Sequence, residues 1–141
     1  MKKTFKKIAA SVMAVATLVV GSVGVTASAA SNSASWSTRH VANAPGSESY
    51  STSCTIAYST KGADAYRNSQ SNSKNGGTGK VYVDCTSHTM TRKTFEPSDT
   101  DPKHCNPTVS GVVSSVTYKF SSYTSTAYNT YKASGTVNAT K

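Results

Sequence analysis

Between Tyr50 and Tyr58 the chain alternates without a break. Tyr50, Thr52, Cys54, Ile56 and Tyr58 fall on one face, and Ser51, Ser53, Thr55 and Ala57 on the other. A period of two with one polar side predicts a half-buried strand. Lys80 to Thr86 repeats the pattern, with Val81, Val83 and Cys85 on the apolar face and Tyr82 and Asp84 opposite. The segment from Val109 to Phe120 fits a helical stripe through Val109, Val112, Val113 and Val116. It also fits a strand through Val112, Ser114, Val116, Tyr118 and Phe120. Valine density and Gly111 penalise the helix, so a strand is predicted. Tyr131 to Thr140 reads as a last strand, with Tyr131, Ala133, Gly135, Val137 and Ala139 on one side.

The connecting segments are equally marked. Asn68 to Gly79 holds Asn75-Gly76-Gly77, which can supply positive φ, and is predicted as a loop, with a long hairpin formed by the strands around it. Phe95 to Pro107 carries three prolines and is predicted to be irregular. Tyr123, Thr126, Tyr128 and Tyr131 keep no single period, so a bend is expected between Ser121 and Asn129. Residues 30–48 show little periodicity and contain Pro45-Gly46, which predicts a flexible N-terminal arm. The sum is an all-β protein, a small antiparallel β-sandwich or barrel of about five to seven strands. Residues 49–141 would form its single β-rich domain.

The first 29 residues read differently. Lys2, Lys3, Lys6 and Lys7 precede a charge-free run from Ile8 to Val20, and Ala27-Ser28-Ala29 closes the segment. A positive start, a short apolar run and a small-x-small site are the marks of a secretory signal peptide. The uncharged run extends to Ala30, long enough to span a bilayer, but its Gly, Ser and Thr content and the cleavage site argue against an anchor. The lysine-rich signal and hydroxyl-rich product resemble those of secreted proteins of Gram-positive bacteria. A secreted, extracellular product is expected, held at the cell wall, if at all, by non-covalent contacts.

Composition then sharpens the fold class. The whole chain carries 15 Lys and Arg against 6 Asp and Glu, a formal charge of +9. Without the four leader lysines the balance falls to +5. Residues 30–141 contain 21 Ser, 17 Thr and eight Tyr, and no Leu. Helical bundles lean on Leu, Ala and Glu, whereas Thr, Tyr and Val suit a pleated, half-buried surface.

Three cysteines remain after the signal: Cys54, Cys85 and Cys105. Export permits disulfides, and an odd count leaves one thiol over. Cys54 and Cys85 lie on the apolar faces of two predicted strands. Adjacent strands would let them form a disulfide that stabilises by about 3–4 kcal/mol. Cys85 with Cys105, Cys54 with Cys105, and free thiols are the alternatives. Zinc at His88, His104, Cys85 and Cys105 is disfavoured, because no C-x-x-C pair exists and His104 adjoins Cys105. Glu96, Asp99 and Asp101 have the look of a calcium loop without its full pattern, and a solvated turn capped by Asp99 and Asp101 is expected instead. No metal or cofactor is therefore predicted.

Chemistry of catalysis is equally sparse. There is no G-x-S-x-G, and Gly76 to Lys80 misses the spacing of a phosphate loop. Binding is the better expectation. The candidate site is the tyrosine cluster Tyr118, Tyr123, Tyr128 and Tyr131 with Lys119 and Lys132, joined by Trp36 if it is an exposed anchor and not part of the core. Tyrosines offer large contact area, and the basic balance favours an anionic cell-envelope polymer or another secreted or surface protein. No basic run exceeds two residues, so no nucleic acid is expected, nor stable membrane insertion. The expected function is a secreted, non-enzymatic binding or surface-associated module. An alternative comes from composition: signal, polar Tyr/Gly/Ser-rich body and basic balance are similar to those of small exported β-sandwich bacteriocins. That resemblance implies an antagonist of related bacteria. A small secreted enzyme of unknown class is the second alternative.

Overall fold

The computed structural model describes residues 30–42 and 47–141. The signal peptide expected over residues 1–29 and the Pro45-Gly46 turn lie outside these residues. Eight strands are present among the described residues: β1 (Ser33–Ala42), β2 (Ser47–Ala57), β3 (Ala63–Asn72), β4 (Lys80–Cys85), β5 (Lys93–Phe95), β6 (Lys103–Cys105), β7 (Ser115–Tyr123) and β8 (Asn129–Ala139). They form one sheet in the order β5-β4-β7-β2-β1-β8-β3-β6, antiparallel at every join. β5 and β6 come together at the ends of this order, which leaves a nearly closed barrel with one seam.

Several expectations need correction. The count is eight, above the range predicted from the sequence. Residues 33–42 of the expected flexible arm are a central strand, paired with β8 along its whole length and with β2 at its end. Their pattern was hidden because Ser, Thr and His share the inward face with Trp36: Ala34, Trp36, Thr38 and His40 point in, and Ser33, Ser35, Ser37 and Arg39 point out. The proline-rich segment from Phe95 to Pro107 also holds a strand, β6, which pairs with β3 through Ala63–Cys105. The long hairpin does not form. β3 pairs with β8 and β6, whereas β4 pairs with β7 and β5.

The inward faces make one core of Trp36, Ile56, Val81, Val83, Phe95, Val116, Tyr118, Phe120, Tyr131 and Val137, with small residues between them. Trp36 stacks on Phe120, and its register partner across β1 and β8 is Gly135. A Cβ on Gly135 would come within 2.7 Å of the Trp36 ring, so the indole occupies the volume that any side chain there would need. Gly79 has the same relation to the Tyr131 ring, which lies across it.

β2 joins the two halves of the barrel. Ser47–Ala42 to Tyr50–Arg39 are its pairs with β1, and Ser51–Ser121 to Ala57–Ser115 are its pairs with β7. Where β2 leaves β1, side chains replace the backbone ladder. The Thr52 hydroxyl donates to the Ser37 carbonyl, and the Cys54 thiol lies 3.1 Å from the Ser35 carbonyl.

The seam is held in a similar way. The Arg67 guanidinium, from β3, donates to the carbonyls of Glu96 at 3.0 Å and Asp99 at 2.5 Å, and approaches that of Pro97 at 3.3 Å. Arg67 and Lys103 both lie over the Phe95 ring. One cation from β3 therefore ties the β5–β6 loop across the opening, satisfying carbonyls that no strand partner reaches.

Outside, the barrel is hydroxylated. Ser35, Ser37, Ser53, Thr55, Ser69, Thr117, Ser121, Ser134 and Thr136 face away from the core, and several pair across strands, as Ser69 with Ser134 at 2.7 Å and Thr55 with Thr117 at 2.8 Å. A transmembrane barrel carries an outward apolar band, which these positions do not supply. Among the described residues no helix is long and apolar enough to cross a membrane.

Candidate functional site

The structure separates the residues that the sequence grouped. Tyr118, Tyr131 and Trp36 are core residues, each no more than 2% exposed. Their rings cannot present a face to a partner, because each lies on an inward position of β7, β8 or β1. Tyr123 and Tyr128 are exposed, at 42% and 64%. Lys119 points out from β7, on the same side of the barrel as Tyr123. Lys132 points out from β8, on another side. The four tyrosines and two lysines are therefore not one site. Their density in the sequence suggested a cluster, but the alternation of β7 and β8 divides it between core and surface.

Lys132 leads to a groove that the sequence did not indicate. In register, Tyr50 on β2, Arg39 on β1, Lys132 on β8 and Ser71 on β3 form one row across four strands. Ser37, Ser134 and Ser69 form the next row. These residues, with Gln70, line an open groove of about 520 Å³. Arg39, Ser71 and Lys132 also line a neighbouring depression of about 410 Å³ with Asn72, Ser73 and Thr130, so the two share a basic border. The Arg39 guanidinium sits 4.8 Å over the Tyr50 ring, which orients both. Glu48 stands at the edge, 3.8 Å from Arg39, and accepts a hydrogen bond from the Tyr50 hydroxyl at 3.0 Å. No carboxylate is among the residues that line the groove itself. Arg39 and Lys132 are separated by 93 positions in sequence, which is why no run of basic residues betrays them.

Other polar groups have structural tasks. The Tyr131 hydroxyl donates to Gln70 Oε1 at 3.0 Å, and burial raises its pKa above the ordinary phenol value. His40 is buried; its Nδ1 accepts the Thr124 backbone N–H at 3.2 Å, and desolvation lowers its pKa below the ordinary 6.5. Thr124 and Asn129 then fix the bend before β8: Thr124 Oγ1 donates to the Thr78 carbonyl at 2.5 Å, and Asn129 Nδ2 donates to Asn72 Oδ1 at 2.8 Å. Asp99 caps the Glu96 amide at 2.8 Å and pairs with Lys103 at 2.7 Å, and the bond to Lys103, followed by that to the amide, holds its carboxyl below the usual range. This is the turn-capping role expected of Asp99. His104 Nδ1 meets Asp64 Oδ1 at 2.8 Å on the surface, with Thr140 donating to the other Asp64 oxygen at 3.2 Å. Among the described residues no three His, Cys, Asp or Glu gather as a metal would require.

The expected disulfide is absent: Cys54, Cys85 and Cys105 are free thiols. Register gives the reason. Tyr118 on β7 is opposite Cys54 on β2 and also opposite Cys85 on β4. The two cysteines are two strands apart, about 10 Å at ordinary strand spacing. A disulfide needs Cα atoms within about 7 Å, and here a tyrosine ring stands between them. Burial raises the Cys54 pKa and pushes that of Cys105 up to about 12, so both are inert, small core side chains.

An all-β, mostly antiparallel, nearly closed eight-stranded barrel with polar grooves on its outer wall is the class that fold and surface define. Comparison with known proteins adds no relative: no family model, no curated protein and no solved structure matches the chain.

Proposed function

We propose that this protein is an exported, non-enzymatic binding module, and that the groove across β1, β8 and β3 takes an anionic polymer of the cell envelope. The observation that carries the reading is the groove's lining: Arg39 and Lys132 beside Tyr50, ringed by the hydroxyls of Ser37, Ser69, Ser71 and Ser134. Guanidinium and ammonium groups attract phosphate or carboxylate, the phenol packs against a repeat unit, and the serines hydrogen-bond its oxygens. Neither histidine nor carboxylate lines the groove, which favours retention of a ligand over acid–base chemistry. Export is supported by the lysine-led apolar run and the Ala27-Ser28-Ala29 site. Outside the cell, polyanions of the envelope are an abundant match for a basic, hydroxyl-rich barrel.

Calorimetric titration of residues 30–141 with poly(glycerol phosphate) tests the assignment. Binding should weaken as salt rises, and Arg39→Gln and Lys132→Gln should each weaken it by about tenfold. Equal affinity for a neutral dextran, or indifference to both substitutions, would remove the groove from consideration. Capture of a surface protein in place of the polymer would reassign the partner.

A further inference from the structure

The barrel carries a second basic and aromatic face, on strands other than β1, β8 and β3. On the outer side of β4 and β7, Tyr82 and Tyr123 lie 6.4 Å apart, centroid to centroid. Lys80 Nζ is 5.7 Å from the centre of the Tyr82 ring, and the Arg92 guanidinium is 4.9 Å from it. Lys80 is the register partner of Tyr123, and Lys119 is that of Asp84. Asp84 binds Arg92 at 2.8 Å, so a single carboxylate on these strands stands against Lys80, Arg92 and Lys119. Beside Tyr123 a smaller recess of about 160 Å³ is lined by Lys80, Thr78, Thr124, Ser125, Glu96 and Pro97. Cations, phenols and hydroxyls are thus combined here as they are in the Arg39 groove.

The strand order fixes the relation between the two faces. Going one way round the barrel, β2, whose Tyr50 borders the first groove, lies between β7 and β1. Going the other way, β5, the seam and β6 separate β4 from β3. The midlines of the two faces, at the β1–β8 and β4–β7 joins, are three strands apart in this order, so a chain must turn round the β2 edge to lie in both.

We propose that the Tyr82–Tyr123 face is a second site for the same class of anionic polymer, and that the protein cross-links two polymer strands. The proposal rests on the reading of the Arg39 groove as a polymer site. Charge complementarity selects the occupant: the surplus of cations on β4, β7 and the adjoining Arg92 requires a polyanion, and the exposed Tyr123 ring offers a flat contact for its repeat units. Two sites that face different ways convert binding into bridging.

The test is turbidity of poly(glycerol phosphate) mixed with residues 30–141 over a range of protein-to-polymer ratios. Cross-linking predicts turbidity that peaks at an intermediate ratio and clears at excess protein, as each polymer site fills separately. The paired substitution Lys80→Gln with Arg92→Gln, and separately Tyr123→Ala, should raise the protein concentration needed for turbidity by about tenfold while calorimetric binding persists. Lys61→Gln with Lys141→Gln removes the same charge away from both faces and should leave turbidity unchanged. Thermal melting of each variant confirms that the barrel is intact. Binding by the parent protein without turbidity, or equal loss in the Lys61/Lys141 control, would overturn the second site and leave the groove assignment standing. Absence of any binding by the parent protein would overturn both.

Discussion

Trp36 lies flat on Phe120, with ring centroids 4.5 Å apart and planes 5° from parallel. The contact joins β1 to β7, which are not neighbours in the sheet, and so braces the barrel through its interior. Trp36→Ala should cost about 3–5 kcal/mol, the range for truncating a buried aromatic. Its indole N–H is buried with no hydrogen-bond partner among the described residues. Trp36→Phe removes that unpaired donor along with some packing, so its net cost should be far smaller, about 1 kcal/mol. Urea titration of both variants measures the difference. The sequence has one Trp, so intrinsic fluorescence reports on this contact directly.

Thiol chemistry should rank the three cysteines by exposure. Cys85 is half-buried, whereas Cys54 and Cys105 are enclosed and have raised pKa values. In the native protein an aromatic disulfide reagent should modify Cys85 first, with the other two reacting only on unfolding. Mass measurement of the unreduced chain should find three free thiols, and a loss of two hydrogens mapped to a Cys54–Cys85 bond would contradict the register around Tyr118.

Acid should destabilise the barrel through His40. Its lowered pKa means that the native state holds the ring neutral, with Nδ1 free to accept from Thr124. The stabilisation is complete above the ordinary histidine pKa of 6.5 and is lost as pH falls toward the lowered native value. The melting temperature should therefore decline as the pH falls from 6.5 toward the lowered native value, and this contribution should level off below it. In His40→Gln this part of the decline should disappear. Thermal scans at several pH values in constant salt provide the check.

Arg67 should resist replacement by lysine. Its guanidinium reaches several carbonyls of the β5–β6 loop at once, a geometry that a single ammonium does not reproduce. Arg67→Ala should cost about 2–3 kcal/mol, and Arg67→Lys most of the same amount. Hydrogen exchange should show the loss first at Glu96 to Asp99, on the seam.

Tyr128 holds φ at 59°, a left-handed value that is unfavourable for a tyrosine. Its ring is exposed and makes no core contact to offset the strain. Tyr128→Gly should stabilise the fold by up to about 1 kcal/mol, as seen in the denaturation midpoint.

Alternation made β2, β4, β7 and β8 legible, because Ile56, Val81, Val83, Val116, Phe120 and Val137 stand at regular inward positions. It failed on β1, where Thr38 and His40 occupy inward positions, Thr38 hydrogen-bonded to Ser122 and His40 accepting from the Thr124 N–H. It failed also on β5 and β6, whose three residues are too few to establish a period. Strand order was beyond reach, since it depends on contacts between distant segments, and the disulfide prediction fell with it. The same is true of the groove: Lys132 was singled out with four tyrosines, two of them buried, while Arg39 and Tyr50 join it only through the pairing of β1 with β8 and β2.

That pairing of the earliest strand with the latest also governs how the molecule is made. Ser33–Ala42 gains its full-length neighbour only when Asn129–Ala139 has been synthesised, so no growing intermediate can complete the barrel. Assembly must wait for nearly the whole polypeptide, and loop closure over such separations makes it slow. A ribosome-bound or translocating chain halted before Asn129 would remain open and sensitive to protease, with its first strand still unmatched along most of its length.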